Sequence, residues 1–583
     1  MKKILIIALL LCGAYTKAQT YGQAVFGHTG YKSCTGSRTS IFTSGFLRGG
    51  YKSPVTIGTD NFYIDKASAN GALGGTGVFR GGYQIQTSNS SCSGATSQNI
   101  NCGGISVIEA NISGTEWYAV AGSHDNGVFY STLNSTGMPV VSVEYRFPSP
   151  NTNTPSKPLI ARLSNGDFII TGQGYSDNMF ALRINPNGNL VWSSFYSINT
   201  TSPPFTPKEL IISPYNGNPI IVGDCLLPNS YSRSNDGFFM ELDVNNGNVN
   251  IFKTYGNVLN GCQYFASICI ANSNYGGTNG FIVAGQSDPI LGSGYKWFLK
   301  LDPSGNVVWN YLYQPTTPAN AQPVVGVIER LNTSSNYEIY GVAGAALGSV
   351  VLKLNDNGLP FSSGNNEFLY NPSSTKLSDP CAITYINSGP SSVGLHIYGT
   401  EDQVLGNNYF VKAYFNGQSG CNQTLQTISA YESGPNSVIS PVITKAGSLV
   451  QCNTFSLRFF SRTVSSSWLC NASSIPAGSN ARFGNDEESV QLSPIDSEVS
   501  LYPNPTSNTT KLKFFSEIIS PIEIDIYDYT GKHIKTVDRF NGNQSIQYEV
   551  DIDFKELGVV SGVYFIKVNN YEDIKTLKVI YNK

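Results

Sequence analysis

Three stretches in the middle of the chain share one pattern of apolar and polar positions: FALRINPNGNLVW (180–192), FFMELDVNNGNVNIF (238–252) and FLKLDPSGNVVW (298–309). Each alternates, reaches Asn or Asp, turns at Gly and alternates again. A period of two puts successive side chains on opposite faces of a strand. Gly supplies the positive φ of a tight hairpin, and Asn or Asp tolerates the neighbouring turn position. The turn glycines recur at Gly71, Gly137, Gly188, Gly247, Gly305, Gly358 and Gly417, spaced by 51 to 66 residues. A short apolar strand ending in small residues precedes each hairpin: SPVTIGTD, WYAVAGSHD, DFIITGQG, NPIIVGD, GFIVAGQSD, YEIYGVAG and LHIYGTED. Often another strand comes before that, such as PKELIIS (207–213) or AQPVVGVIER (321–330). No helical period intervenes.

Four short antiparallel strands per unit, seven times over, predict an all-β chain built as a β-propeller. One such sheet cannot bury both faces alone, whereas a closed ring of them can. Residues 447–470 (GSLVQCNTFSLRFF and SSSWLC) read either as an eighth unit or as strands that complete the ring with the N-terminal segment. The expectation is therefore seven or eight blades. A stacked array of β-sandwiches is the alternative, and the regularity of the hairpins favours the ring. Trp192 and Trp309 hold equivalent positions, which points to packing between blades rather than to sugar stacking.

Composition agrees: 59 Gly, 29 Pro and 12% aromatic residues suit a fold of many tight turns. Charged residues make up 13%, about half the usual share, and the net charge is −3. With no basic stripe, nucleic acid is not an expected partner. Met1-Lys2-Lys3, the apolar run Ile4 to Leu11 and Thr16-Lys17-Ala18 form a secretory signal peptide over residues 1–18, too short in its apolar part to span a bilayer. Leu11 stands before Cys12 where a lipoprotein anchor needs a small residue. No later run of about twenty apolar residues predicts a transmembrane segment. Ten of the eleven cysteines remain after cleavage, an even number in an oxidising compartment, and predict disulfides. Cys92 with Cys102 and Cys452 with Cys470 are local candidates, although connectivity is not legible. His28, His124, His396 and His533 have no zinc-site spacing.

The propeller is expected over 19–470 and a linker without apolar periodicity over 471–498. Residues 499–583 form a further module. IEIDIYD (522–528), HIKTV (533–537), SGVYFIKV (561–568) and TLKVIY (576–581) alternate as strands, which suggests a small Ig-like β-sandwich. At its start stands SLYPNPTSNTTKLKFF, whose prolines break pairing with the linker. Tyr502-Pro503-Asn504-Pro505, Tyr527-Asp528 with Thr530-Gly531-Lys532, Gly562-Val563-Tyr564 and the terminal LKVI resemble the type A C-terminal sorting domain of the type IX secretion system. The resemblance implies a Bacteroidota-type cargo, exported through the periplasm to the cell surface or the medium. It also implies recognition by the outer-membrane translocon, its shuttle barrel and a sortase. Tyr502, Pro503, Asn504, Pro505, Gly531, Gly562 and Tyr564 would carry the signal.

Candidate chemistry lies in the connections expected between second and third strands. Asp60, Asp125, Asp177, Asp224, Asp288 and Asp402 come from six of the seven units, with Tyr175, Tyr231, Tyr295 and Trp297 nearby. Carboxylates beside exposed rings suit sugars, and carboxylate oxygens suit Ca²⁺, the single cofactor this pattern admits. Asp also caps turns with no other role. LDPSGNVVW is similar to a quinone-enzyme blade motif, but no adjacent cysteine pair accompanies it. The Asp-box of sialidases needs Ser or Thr where Lys300 stands. No Ser-His-Asp order, His-Glu-x-x-His or acid pair on one loop is found. The expected function is a non-catalytic binding or adhesion module on an exported protein, serving gliding or surface attachment, with a surface glycan or another surface protein as partner. The alternative is a secreted glycan-acting or other polymer-degrading enzyme.

Overall fold

The computed structural model describes forty-two strands between Tyr21 and Tyr581, with many of the turns joining them. Residues 1–20, 473–498 and a set of connections, among them 52–61, 88–101, 125–126, 149–156, 175–177, 227–234, 288–294 and 402–406, lie outside the described residues. There is no α-helix among the described residues. The chain divides into two compact units, Met1–Phe483 and Gly484–Lys583.

Seven five-stranded sheets build the first unit. In the fourth, Phe205–Ile212, Pro219–Leu226, Asn235–Leu242 and Val249–Gly256 run up and down in chain order. The first blade runs from Lys32–Thr39 to Phe79–Thr87, the second from Cys102–Ile112 to Pro139–Arg146 and the third from Leu159–Arg162 to Leu190–Ile198. The fifth runs from Gln263–Ala271 to Val307–Gln314, and the sixth from Val324–Leu331 to Glu367–Tyr370. Three strands of the seventh, Ser378–Ile386, Gly394–Glu401 and Asn407–Ala413, receive the N-terminal strand Tyr21–Phe26 as their fourth. First strands of successive blades pack on one another, and Lys32–Thr39 packs on Ser378–Ile386. The ring therefore closes, and the first unit is a seven-bladed β-propeller.

The segment read as an eighth unit is no blade. Residues 423–472 run around the ring in the reverse direction and add a fifth, outermost strand to every sheet. Gln423–Gln426 pairs with the sixth blade, Ala430–Ser433 with the fifth, Ser437–Ile439 with the fourth and Ile443–Ala446 with the third. Val450–Cys452 follows on the second, Phe455–Ser461 on the first and Ser466–Ala472 on Tyr21–Phe26. Unpaired strand edges invite association, and this belt covers all seven. Of the other reading, the pairing with the N-terminal strand holds, but the ring is closed by that strand within the seventh blade and not by this segment.

Burial explains the apolar runs of the second strands. A middle strand of a blade is covered on both faces by neighbouring blades, so Gly280–Ser287 is buried at every position. Phe168, Phe180 and Leu182 meet Val128, Tyr130 and Tyr145 between the third and second blades. Trp297, Leu299 and Phe265 meet Phe239 and Tyr255 between the fifth and fourth. Each such side chain contributes about 1.5–3 kcal/mol by burial.

Five of the hairpin glycines have the positive φ that the sequence predicts, among them Gly188 at 79°, Gly247 at 70° and Gly305 at 73°, and Gly71 and Gly417 lie outside the described residues. The preceding Asn185 or Asp302 accepts backbone N–H bonds with its side chain, from Asn187 and Asn189 at 3.0 and 2.9 Å and from Ser304 and Asn306 at 2.8 Å each. The indole N–H of Trp192 donates to Val244 O (2.9 Å) in the next blade's turn, and that of Trp309 to Asp356 O (3.2 Å). Both tryptophans are therefore joints between blades.

In the second unit, Val499–Tyr502, Thr509–Ser516 and Ile546–Asp553 form one sheet. His533–Gly542, Ser520–Asp528, Gly562–Asn569 and Ile574–Tyr581 form the other. Leu512, Ile524, Ile526, Ile552, Phe554 and Ile566 fill the core, as the alternation of these segments requires of a sandwich.

Candidate functional site

Antiparallel order fixes which loops share an edge of each blade. Turns from first to second strand and from third to fourth lie at one end, and links from second to third strand leave from the other. The first end is committed to structure. Tyr83, Tyr145, Tyr196 and Tyr255 each donate their hydroxyl to the turn-glycine carbonyl of the following blade: Gly137 (2.8 Å), Gly188, Gly247 and Gly305 (2.6 Å each). Tyr313 does the same to Gly358. Sequence reasoning missed these residues, although a signal exists: Tyr145, Tyr196, Tyr255 and Tyr313 each follow a turn glycine by eight residues.

At the other end, Asp60, Asp125, Asp177, Asp288, Asp402, Tyr175 and Tyr231 lie outside the described residues. Asp224 is described, two residues from the end of the second strand of the fourth blade. Its Oδ1 stands 3.4 Å from Lys208 Nζ on the first strand, and its Oδ2 accepts from Asn235 Nδ2 (3.2 Å) on the third. Burial raises its pKa above the usual carboxylate range, opposed by the Lys208 ammonium and the Asn235 amide. Cross-strand pairing sets Asp236 opposite Cys225, on the other face of the same sheet. Burial pushes the Asp236 carboxyl up to about 6. Cys225 and Cys269 are free thiols, and Cys92 and the side chains of Cys102, Cys452 and Cys470, the candidate pairs, lie outside the described residues.

Trp297 corrects an expectation. Its place in the sequence groups it with exposed rings, yet it is fully buried, with its ring centroid 4.7 Å from that of Phe265. Its indole N–H donates to Asn310 Oδ1 at 2.6 Å. The reason is its place on a middle strand whose two faces are both covered by neighbouring blades. Tyr295, two residues earlier, is partly buried.

A second polar cluster ends the corresponding strand of the second blade. His124 Nε2 lies 3.2 Å from Glu144 Oε1, and Arg146 Nε donates to the same oxygen at 2.9 Å. These bonds hold Glu144 below its usual pKa despite the opposing effect of burial. A lone His with distant Glu and Arg gives no sequence signal. No cluster of three His, Cys, Asp or Glu side chains that would hold a metal occurs among the described residues.

In the second unit the expected signal residues divide by role. Asn504 Nδ2 donates to Lys578 O (2.7 Å) and its Oδ1 accepts from Ile580 N (3.0 Å), so one side chain bridges to the last strand. Thr506 continues that contact, donating its N–H to Ile580 O (2.9 Å). Thr510 Oγ1 donates to Pro503 O (2.8 Å). Tyr564 is buried against Phe554 and donates its hydroxyl to Val560 O (2.6 Å). Gly562 opens that strand, and Tyr502 is 77% exposed. Pro505 lies within the same turn, and Gly531 is outside the described residues. The Pro-Asn-Pro turn and the terminal LKVI are thus two halves of one joint.

Residues 500–582 match the family described as the secretion system C-terminal sorting domain. No curated protein matches the chain. Among solved structures, a complex described as BBS1N with ARL6DN, soaked with lead, is similar at 9% identity and a TM-score of 0.35, covering 68% of this chain and 98% of that one. An N-acetylgalactosamine deacetylase from F. plautii, in complex with blood group B trisaccharide, is similar at 10% identity and a TM-score of 0.27, covering 50% of this chain and 90% of that one. The second unit is a type IX secretion C-terminal sorting domain, and the chain is a cargo of that system, exported to the cell surface or the medium.

Proposed function

We propose that the propeller is a non-catalytic binding module, displayed at or released from the cell surface for attachment or gliding, with a glycan or another surface protein as its partner. The observation that carries this reading is the division between the two ends of the blades. Tyrosine hydroxyls tie down the turns at one end, while the links bearing the aspartates leave from the other, where Asp224 is held by Lys208 and Asn235. Carboxylates at the position of Asp224 in successive blades would suit sugar hydroxyls or Ca²⁺. The export machinery that reads the sorting domain is expected to include the outer-membrane translocon, its shuttle barrel and a sortase, after a signal peptide has given passage to the periplasm. Disulfides among the remaining cysteines belong to the same reading.

The mature chain, screened against a panel of polysaccharides with and without Ca²⁺, tests it. Binding without release of shortened product is expected. The Asp177→Asn/Asp288→Asn double variant should lose that binding while melting at an unchanged temperature, as substitutions away from the core usually cost within about 0.5 kcal/mol. Released oligosaccharide would support the degrading enzyme instead, and binding that survives the double variant would remove the aspartates from the site.

A further inference from the structure

We propose that residues 423–472 act as a detachable strap. It docks on blades that are already formed, locks the ring at the seam between the seventh and first blades, and comes away as one cooperative piece. Three observations carry this.

The blades hold their cores largely without the strap. Between the second and third blades, the buried cluster draws sixteen of its seventeen side chains from the blades and one, Leu449, from the strap. Between the fifth and sixth blades the strap adds Ile428, and between the first and second it adds Leu457. Among its described apolar residues, Val438 is 45% exposed, Val450 57% and Val442 79%, while Leu425, Ile443 and Phe459 are partly buried against the blades. Between Val438 and Val450 the strap is held by its ladder bonds and by the contacts of Ile443 and Leu449.

Those bonds are unevenly spread. Three residues pair on each of the fourth and second blades and four on each of the sixth, fifth and third. Seven pair on the first blade, and Ser466–Ala472 runs the full length of Tyr21–Phe26. The grip is strongest at the seam. There the N-terminal strand lies between Asn407–Ala413 and Ser466–Ala472, hydrogen-bonded on both sides to segments near the other end of the unit. With the strap away, that strand keeps one ladder of its two, and the seam becomes the weakest junction of the ring.

The five strap strands on the second to sixth blades are each too short to hold alone, because closing each link costs entropy that three or four ladder pairs barely offset, and they depend on the two longer strands at the seam. The seven strands are therefore stable together and leave together. Because the strap follows the blades in sequence and precedes the sorting domain, a locked ring exists only in a chain translated nearly to that domain.

Hydrogen exchange on the intact mature chain, read by mass spectrometry, tests this. Amides of 437–439, 443–446 and 450–452 should exchange at one common rate, at least about tenfold faster than those of 169–171 and 180–182 in the third blade. Gly447 sits in the strap at φ 71°, and Gly447→Val should strain that bend and speed exchange of the whole strap about tenfold. The third-blade amides should be unmoved, and those of Tyr21–Phe26 accelerated. Strap amides that follow the rate of their own host blade would overturn the proposal. So would acceleration confined to 443–452, or acceleration shared equally by the inner strands. Should the variant fail to fold, the exchange pattern of the wild-type chain decides alone.

Discussion

The hydroxyl of Tyr196, on the outer strand of the third blade, donates a 2.6 Å hydrogen bond to the carbonyl of Gly247 in the fourth blade's hairpin. The same glycine has its own reason to be glycine: φ is 70°, and a Cβ there would stand 2.7 Å from Trp192 Cζ3 and 2.9 Å from the Tyr196 hydroxyl oxygen. One turn thus receives the tyrosine, the tryptophan and the tight backbone of the hairpin. Gly358 repeats the arrangement with Tyr313 and Trp309, whereas Gly305 receives the Tyr255 hydroxyl with Phe239 as its neighbouring ring.

Tyr196→Phe removes the donor and leaves a buried carbonyl without it. A loss of about 1–2 kcal/mol is expected, measured by urea unfolding of the protein. Tyr215→Phe serves as the comparison. That ring is 41% exposed and its hydroxyl donates at 3.2 Å to Gly280 O, so it should lose less.

Gly217 and Gly247 separate backbone strain from steric fit. Both have positive φ, but a Cβ at Gly217 meets nothing within 4 Å. Gly217→Ala should cost about 1 kcal/mol, and Gly247→Ala clearly more because Trp192 must move. Equal losses in thermal unfolding would show that the tryptophan contact does not matter.

Asp236 sets a pH dependence. Its carboxyl, ordinarily near 3.8, is pushed up to about 6 by burial. Between these values the folded chain holds more protons than the unfolded chain, so stability from this group is present below about 4 and lost as pH rises through 6. Asp236→Asn stays neutral throughout. The variant should match the wild type in urea at pH 4 and exceed it at pH 7, and a difference that does not change with pH would refute the assignment.

Asn504 and Tyr502 divide the sorting motif. Asn504→Ala deletes both bonds to the last strand, so amides of 574–581 should exchange faster, by the about 1 kcal/mol that such bonds contribute, and surface display should fall. Tyr502→Ala should leave exchange unchanged, because the ring is 77% exposed. If Asn504→Ala exchanges like the wild type, the joint between Pro-Asn-Pro and LKVI has no energetic weight.

Local chemistry decided what was legible in advance. Alternation of period two, the positive-φ glycines and the Asn or Asp before them are set by residues within one hairpin, so the strands and the repeat could be read directly. The sorting motif was legible for the same reason: its residues stand in fixed order over eighty positions. Asp224 was legible as the end of a second strand, but its partner Lys208 was not, because that contact depends on a bulge in the neighbouring strand. Trp297 was misplaced because nearness to a loop in sequence says nothing about whether another blade covers the ring.

The belt shows where sequence stops. Its strands alternate like those of any blade, so residues 447–470 read equally well as an eighth unit. Whether they form a sheet of their own or complete seven others depends on free edges that exist only once the ring has formed. Gln23 pairs with Cys470 across nearly the whole unit. The sequence by itself determined the hairpins, the repeat and the sorting domain, because short-range sterics and turn chemistry fix them. Ring closure alone decided the number of blades, the tyrosine joints and the reversed fifth strand, because a ladder hydrogen bond specifies backbone geometry and not the identity of the side chains that bring two distant edges together.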